Sequence, residues 1–232
     1  MTESIRIEAT PKFEEALSAI YNHEQTFLAG GLGGSKTTSL VYAAYKSAFR
    51  WSPGIEGIVG APTYGQLFTG FITLWKKYIP EDYYNLVLSG ATPRIECFTE
   101  KGLSTVHLVS GQHPERVESK NVGWAAVDEV QDCSELYERT VGRVRDSRAG
   151  FLRTFAAGLT VNGWMEEVLL QSKLGPCHWV KIKSHDNPTL PASWFVQLRR
   201  RLNKRQYKIF VEGDFAAAEG SVYTLFYTSL HA

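Results

Sequence analysis

With 232 residues, the chain suits one large domain or one and a half small ones, enough to bury a substantial core. Its 44% hydrophobic and 21% charged content is that of an ordinary globular protein, and a formal net charge of +1 offers no overall field to a polyanion. Any nucleic-acid contact would need a local basic patch. Three well-separated cysteines (Cys97, Cys133, Cys177) without CxxC spacing favour a reducing compartment and supply no metal framework. The histidines (His23, His107, His113, His178, His185, His231) also lack metal-ligand spacing. Glu3, Glu8, Glu14 and Glu15 argue against a signal peptide, and no apolar run of about 18 residues marks a membrane span.

Apolar residues at Phe13, Leu17 and Ile20 predict a helix after Pro11. Thr26 to Ala29 reads as a short buried strand, followed by a glycine-rich loop and a helix from Thr37 to Phe49. A second strand is expected at Gly57–Ala61 and a helix over Tyr64 to Tyr78. Ser104 to Ser110 alternates as a strand does. Trp124-Ala125-Ala126-Val127 is apolar without alternation, as a central parallel strand should be. A strand over Phe151 to Thr160, a helix over Trp164 to Gln171 and a strand over His178 to Lys183 complete the alternation. Strands separated by helices predict a parallel sheet with crossover connections. The tail predicts a single helix from Trp194 to Phe210. Six of the ten residues from Arg199 to Lys208 are basic.

The loop Gly30-Gly31-Leu32-Gly33-Gly34-Ser35-Lys36-Thr37 fits the phosphate-loop pattern G-x-x-x-x-G-K-[ST] at every fixed position except Ser35. Such a loop turns backbone N–H groups toward a phosphate at a helix N-terminus, where the helix dipole favours an anion. Its glycines supply unusual dihedrals and close approach. Lys36 would neutralise phosphate oxygens, the Thr37 hydroxyl would ligate Mg²⁺, and Thr38 would follow in the first turn. Serine at 35 is tolerable if its backbone is that of an ordinary helix start. The competing reading is a plain glycine-rich strand-to-helix turn. Gln25 and the Pro11-Lys12 region precede the loop as adenine contacts often do.

A second half-site is expected where Trp124–Val127 delivers Asp128 and Glu129 to the C-terminal edge of a parallel sheet, the edge at which ligands bind. Asp128 would stand on the Mg²⁺ side, and Glu129 would be the general base for a water attacking a γ-phosphate. Carboxylates also commonly begin loops. The pair's position, 91 residues beyond Thr37, favours the functional reading. Gly60-Ala61-Pro62-Thr63 resembles the A-P-T turn of helicase-like motors, although such residues dominate turns generally.

The ordered set GGLGGSKT, VGAPTYGQL, WAAVDEVQD, VGRVRDSRAGFLRTFAAGLTVNGW and PTLPASWFVQLRRRL with YKIFVEGDFAAAEGSVYTLF resembles the N-terminal ATPase domain of the large terminase subunit of tailed bacteriophages. The resemblance covers nearly the whole chain. It implies an α/β P-loop NTPase of the additional-strand (ASCE) type: a mostly parallel sheet flanked by helices, with a small C-terminal helical linker subdomain. Residues 1–187 would form the ATPase domain and 188–232 a linker or lid. A nuclease domain would begin after Phe226, so the chain is expected to be an ATPase domain without DNA-cutting activity. ATP and Mg²⁺ are the implied cofactors. The implied partners are double-stranded DNA, portal protein, the small terminase subunit and further copies in a ring, expected as a pentamer. The implied setting is the host cytoplasm during virion assembly, with no membrane partner.

Two further roles come from the same resemblance. Thr160 and Asn162 lie where terminases place a coupling motif, although Asn162-Gly163 is also a strong turn pair. Terminases usually carry an Arg-Gly pair about ten residues before the Walker B aspartate, whereas Glu118-Ser119 stands here. Arg116 or Arg143 is therefore the expected arginine finger. Arg200, Arg201 and Lys204 are candidate DNA contacts, or else an ordinary solvated helix face. Two rivals remain open: a helicase-like nucleic-acid-dependent ATPase, and a nucleotide-binding assembly subunit in which Ser35 has disabled turnover.

Overall fold

The strands are β1 (Gln25–Gly30), β2 (Gly57–Ala61), β3 (Tyr84–Val87) and β4 (Arg94–Thr99), then β5 (Gly102–Ser110), β6 (Trp124–Val127), β7 (Arg153–Gly158) and β8 (His178–Ile182). They come from a computed structural model that describes residues 9–89, 92–161 and 163–215. All eight form one sheet in the order β3-β4-β5-β2-β6-β7-β1-β8. From β5 to β8 in that order every pairing is parallel, while β4 runs antiparallel to β5 and β3 antiparallel to β4. β7 stands between β1, which leads into the glycine loop, and β6, which leads into Asp128-Glu129. The sheet is therefore the mostly parallel, additional-strand arrangement expected from the sequence.

The central strands are buried on both faces because helices cover both. The helices are α1 (Pro11–Asn22), α2 (Lys36–Lys46), α3 (Tyr64–Gln66) and α4 (Thr73–Tyr78), then α5 (Ser134–Val141), α6 (Gly163–Gln171), α7 (Ala192–Arg201) and α8 (Lys204–Tyr207). Alternation along β1 sends Leu28 into a core with Ile20, Leu40, Val41 and Trp75. Phe27 and Ala29 go into a second core with Leu136, Tyr137, Met165 and Val168. Wide π-type turns at Ser47–Trp51, Leu67–Ile72 and Lys208–Glu212 follow α2, join α3 to α4 and follow α8.

Two features differ from the sequence expectation. The hairpin β3–β4 was not foreseen. Its tight connection to β5 runs through Thr99-Glu100-Lys101-Gly102 without an Asn-Gly signal, and only Ile95 and Cys97 of β4 are fully buried. The expected single helix from Trp194 to Phe210 is also divided. It ends at Leu202, and Asn203 starts α8 with a capping box, its Oδ1 accepting from Gln206 N–H at 2.8 Å while Gln206 Oε1 accepts from Asn203 N–H.

Candidate nucleotide and catalytic site

The glycine loop leaves β1 pressed against β8. A Cβ on Gly30 would lie 1.8 Å from the Ile182 carbonyl oxygen, so no larger residue fits there. The Gly31 amide donates to that same oxygen at 2.8 Å, and the Leu32 amide donates to Phe210 O at 2.7 Å. The Ser184 hydroxyl donates to Leu32 O at 2.6 Å, and the Asn187 side-chain amide donates to Gly33 O at 2.7 Å. Segments 184–187 and 210–213 thus hold the loop just ahead of α2. The opening amides of α2 have no intrahelical acceptor, which is the usual basis of an anion site.

Ser35 departs from the condition set for it above. Its backbone is left-handed (φ 67°, ψ 21°), and its side chain makes no capping hydrogen bond. A residue with a Cβ pays roughly 1–2 kcal/mol to sit there, which explains why the pattern calls for glycine. Gly33 is left-handed as well (φ 68°).

Lys36 is buried and folds back on the loop, its Nζ donating to Gly31 O at 2.5 Å and to Gly30 O at 3.1 Å. Burial lowers its pKa, and the charges of Glu129 and Asp128 oppose that fall. Across the intervening β7, the Thr37 hydroxyl donates to Asp128 Oδ2 at 2.9 Å. Asp128 is buried, and desolvation, with the neighbouring Glu129 charge, pushes its pKa up to about 6 against the hydrogen bonds from Thr37 and the Glu129 amide. Glu129 is left-handed (φ 47°, ψ 46°); its amide donates to Asp128 Oδ1 at 3.1 Å, and its Oε2 accepts from Gln131 Nε2 at 2.8 Å. Such a dihedral at a non-glycine residue is costly and tends to mark a site where geometry is over-determined.

A hydroxyl and one buried carboxylate, both hard oxygen donors, suit Mg²⁺, which keeps several waters and takes substrate phosphates rather than a full protein cage. Among the described residues no group of three or more His, Cys, Asp or Glu forms a metal cage.

Of the residues singled out in the sequence, Gly30 to Thr38, Asp128 and Glu129 converge at one edge of the sheet. Gln25 does not join them. It lies at the other end of β1, roughly 16 Å away at strand rise, and its amide donates to Leu174 O at 3.2 Å. Lys12, by contrast, lines a small cleft with Thr10, Phe13, Gly34, Ser35 and Ser39 beside the loop. Arg116 follows β5 at the loop's edge of the sheet and donates to the Tyr64 hydroxyl at 2.9 Å. Arg143 lies at the opposite edge, where its carbonyl accepts from Val122 N–H just before β6. Glu118, standing where an arginine was expected, pairs with Arg139, which also bonds Glu135 at 2.8 Å. Thr160 is buried and donates to Asp214 O at 3.1 Å, while Asn162 lies outside the described residues. Arg200, Arg201 and Lys204 are exposed where α7 meets α8, well apart from the loop in sequence, and the Arg199 guanidinium covers the Tyr207 ring at 4.9 Å.

Gln131, Ser184, Asn187 and Asp214 were not singled out, yet they touch the loop, Glu129 or Thr160. Gln131 alone had a sequence signal, two places beyond Glu129 in WAAVDEVQD. The others reach the site only through the fold.

No protein-family model matches the chain, and no curated protein matches it. Solved structures do. The large terminase from a thermophilic bacteriophage superposes with a TM-score of 0.76 at 15% identity, over 94% of this chain and 56% of that one. The same terminase with ATP-gamma-S gives 0.73 at 14% identity, over 90% of this chain and 53% of that one. The large terminase ATPase domain of Thermus phage P74-26 gives 0.60 at 14% identity, over 91% of this chain and the whole of that one. The chain thus has the fold of a phage large terminase ATPase domain and spans about half the length of the full terminases it resembles.

Proposed function

We propose that the chain is the ATP-hydrolysing motor domain of a phage large terminase, acting in translocation of double-stranded DNA into a procapsid. The convergence of Lys36, Thr37, Asp128 and Glu129 on a left-handed glycine loop carries this reading. Phosphates would lie against the amides that follow Leu32 in the loop and those of the first turn of α2, with Lys36 released from Gly30 and Gly31 to meet them. Thr37 and Asp128 would hold Mg²⁺, which when bound neutralises charge on the β- and γ-phosphates. Glu129 would orient a water and take its proton. The cleft at Thr10, Lys12 and Phe13 is the better place for the base, because Gln25 is remote from the loop.

Arg116 or Arg143 would serve a neighbouring copy in a ring, and an arginine finger is worth about 10³-fold or more in rate. Arg200, Arg201 and Lys204 would meet DNA phosphates. Thr160, with Asn162, would couple the site to the C-terminal segment. Portal protein, the small terminase subunit and a pentameric ring complete the proposed assembly, in the host cytoplasm. No helix among the described residues is long and apolar enough to cross a membrane. Phosphate release from Mg²⁺-ATP, with and without double-stranded DNA, tests the reading: Lys36→Ala and Glu129→Gln should each abolish it. Release that survives both substitutions would refute it.

A further inference from the structure

Gln131 joins the acid pair to the strand beside it, and every polar group of its amide is used. Its Nε2 donates to Glu129 Oε2 at 2.8 Å and to Asp132 Oδ2 at 2.9 Å, while its Oε1 accepts from the Leu159 amide at 3.0 Å. The partners fix the orientation: two carboxylates require the NH₂ end, and a backbone N–H requires the carbonyl end. The residue is buried, and its Oε1 rests over Gly158, the last residue of β7. A Cβ on Gly158 would lie 2.5 Å from that oxygen, so the glycine makes room for the amide. From Leu159 the chain passes to Thr160, whose hydroxyl donates to Asp214 O, and Asp214 pairs with Lys181.

We propose that Gln131 is a positioning residue that fixes the Glu129 carboxylate and locks it to the end of β7, so that a shift of β7 moves the base. This rests on the reading of Glu129 as the base. One carboxylate oxygen is tethered by Gln131 and the other remains for a water. Lys36 is held by Gly30 and Gly31 and Thr37 by Asp128, so losing the tether should leave nucleotide binding intact and impair only the attack. Misplacing a catalytic group by about 1 Å costs on the order of 10²-fold.

Two variants reach the tether from opposite sides. Gln131→Met keeps the shape and removes the donors, whereas Gly158→Ala keeps the glutamine and displaces its amide. Each is expected to lower kcat for ATP at least about 10-fold, with KM changed less than about twofold. The double variant should be no slower than Gln131→Met, because both act on one contact. Wild-type kcat in Gln131→Met, or losses that multiply in the double variant, would overturn the proposal. A crystal structure of Gly158→Ala decides independently of turnover: a turned Glu129 carboxylate supports it, and an unmoved one overturns it. If the wild-type chain released no phosphate, the ATPase reading would fail, and that structure would still judge the tether.

Discussion

Ser35 and Asp128 both sit in conformations or surroundings that their side chains resist, and each resistance is measurable. Ser35→Gly relieves a left-handed backbone at a residue whose hydroxyl caps nothing. Part of the gain is offset by the greater unfolded-state freedom of glycine, so a net stabilisation of about 1 kcal/mol or less is expected, a rise in Tm of about 2 °C. A fall in Tm would show that the serine side chain contributes a contact of its own. For Asp128 the folded pKa, about 6, exceeds the ordinary 3.8. Its favourable contribution to stability is therefore complete below about 3.8 and lost as pH rises through 6. The metal-free wild type should lose stability relative to Asp128→Asn between pH 4 and 7, on the order of 2–3 kcal/mol. Thermal melts of both proteins across that range check the sign; a difference independent of pH would contradict it.

At the scale of elements, the sheet depends on close fits that the sequence only partly declared. Gly57 of β2 lies opposite Trp124 of β6, and a Cβ there would come within 2.2 Å of the indole ring. Gly57→Ala is expected to destabilise by roughly 1–3 kcal/mol, as overpacking does in a core that cannot give way; chemical denaturation measures it. The apolar runs of β1, β2, β6 and β7 were readable because burial on both faces leaves no alternation to confuse them. The hairpin β3–β4 escaped because it is an edge element with few buried side chains. The break in the basic tail was hidden because Asn203 reads as one more polar residue until its partner Gln206 closes the cap. If α7 and α8 meet DNA, reversing charge at Arg200 and Lys204 should weaken binding and reduce the slope of log K against log salt by roughly two. An unchanged slope would leave these residues as a solvated face.

Across the whole molecule, the local placement of the candidate residues was legible and their long-range support was not. GGLGGSKT and WAAVDE could be placed at one edge of the sheet because a glycine loop between strand and helix and a strand-end acid pair are short, contiguous features. What keeps them in place comes from far along the chain. Ser184, Asn187 and Phe210 hold the loop from outside, and Gln131 reaches Leu159 across 28 positions. Gln25 misled because nearness in sequence to the loop became, along an extended strand, distance from it. Glu118 stands where the resemblance led an arginine to be expected, and its pairing with Arg139 gives that position a local role.

In the proposed mechanism, Glu129 activates water for hydrolysis of a nucleotide held by Lys36 and Thr37. The most direct measurement is single-turnover phosphate release from Mg²⁺-ATP by wild type and Glu129→Gln, with nucleotide affinity measured on the same preparations. Affinity within about threefold of wild type and a loss of hydrolysis of about 10²-fold or more are expected in the variant. Equal rates, or a loss of binding that matches the loss of rate, would contradict it.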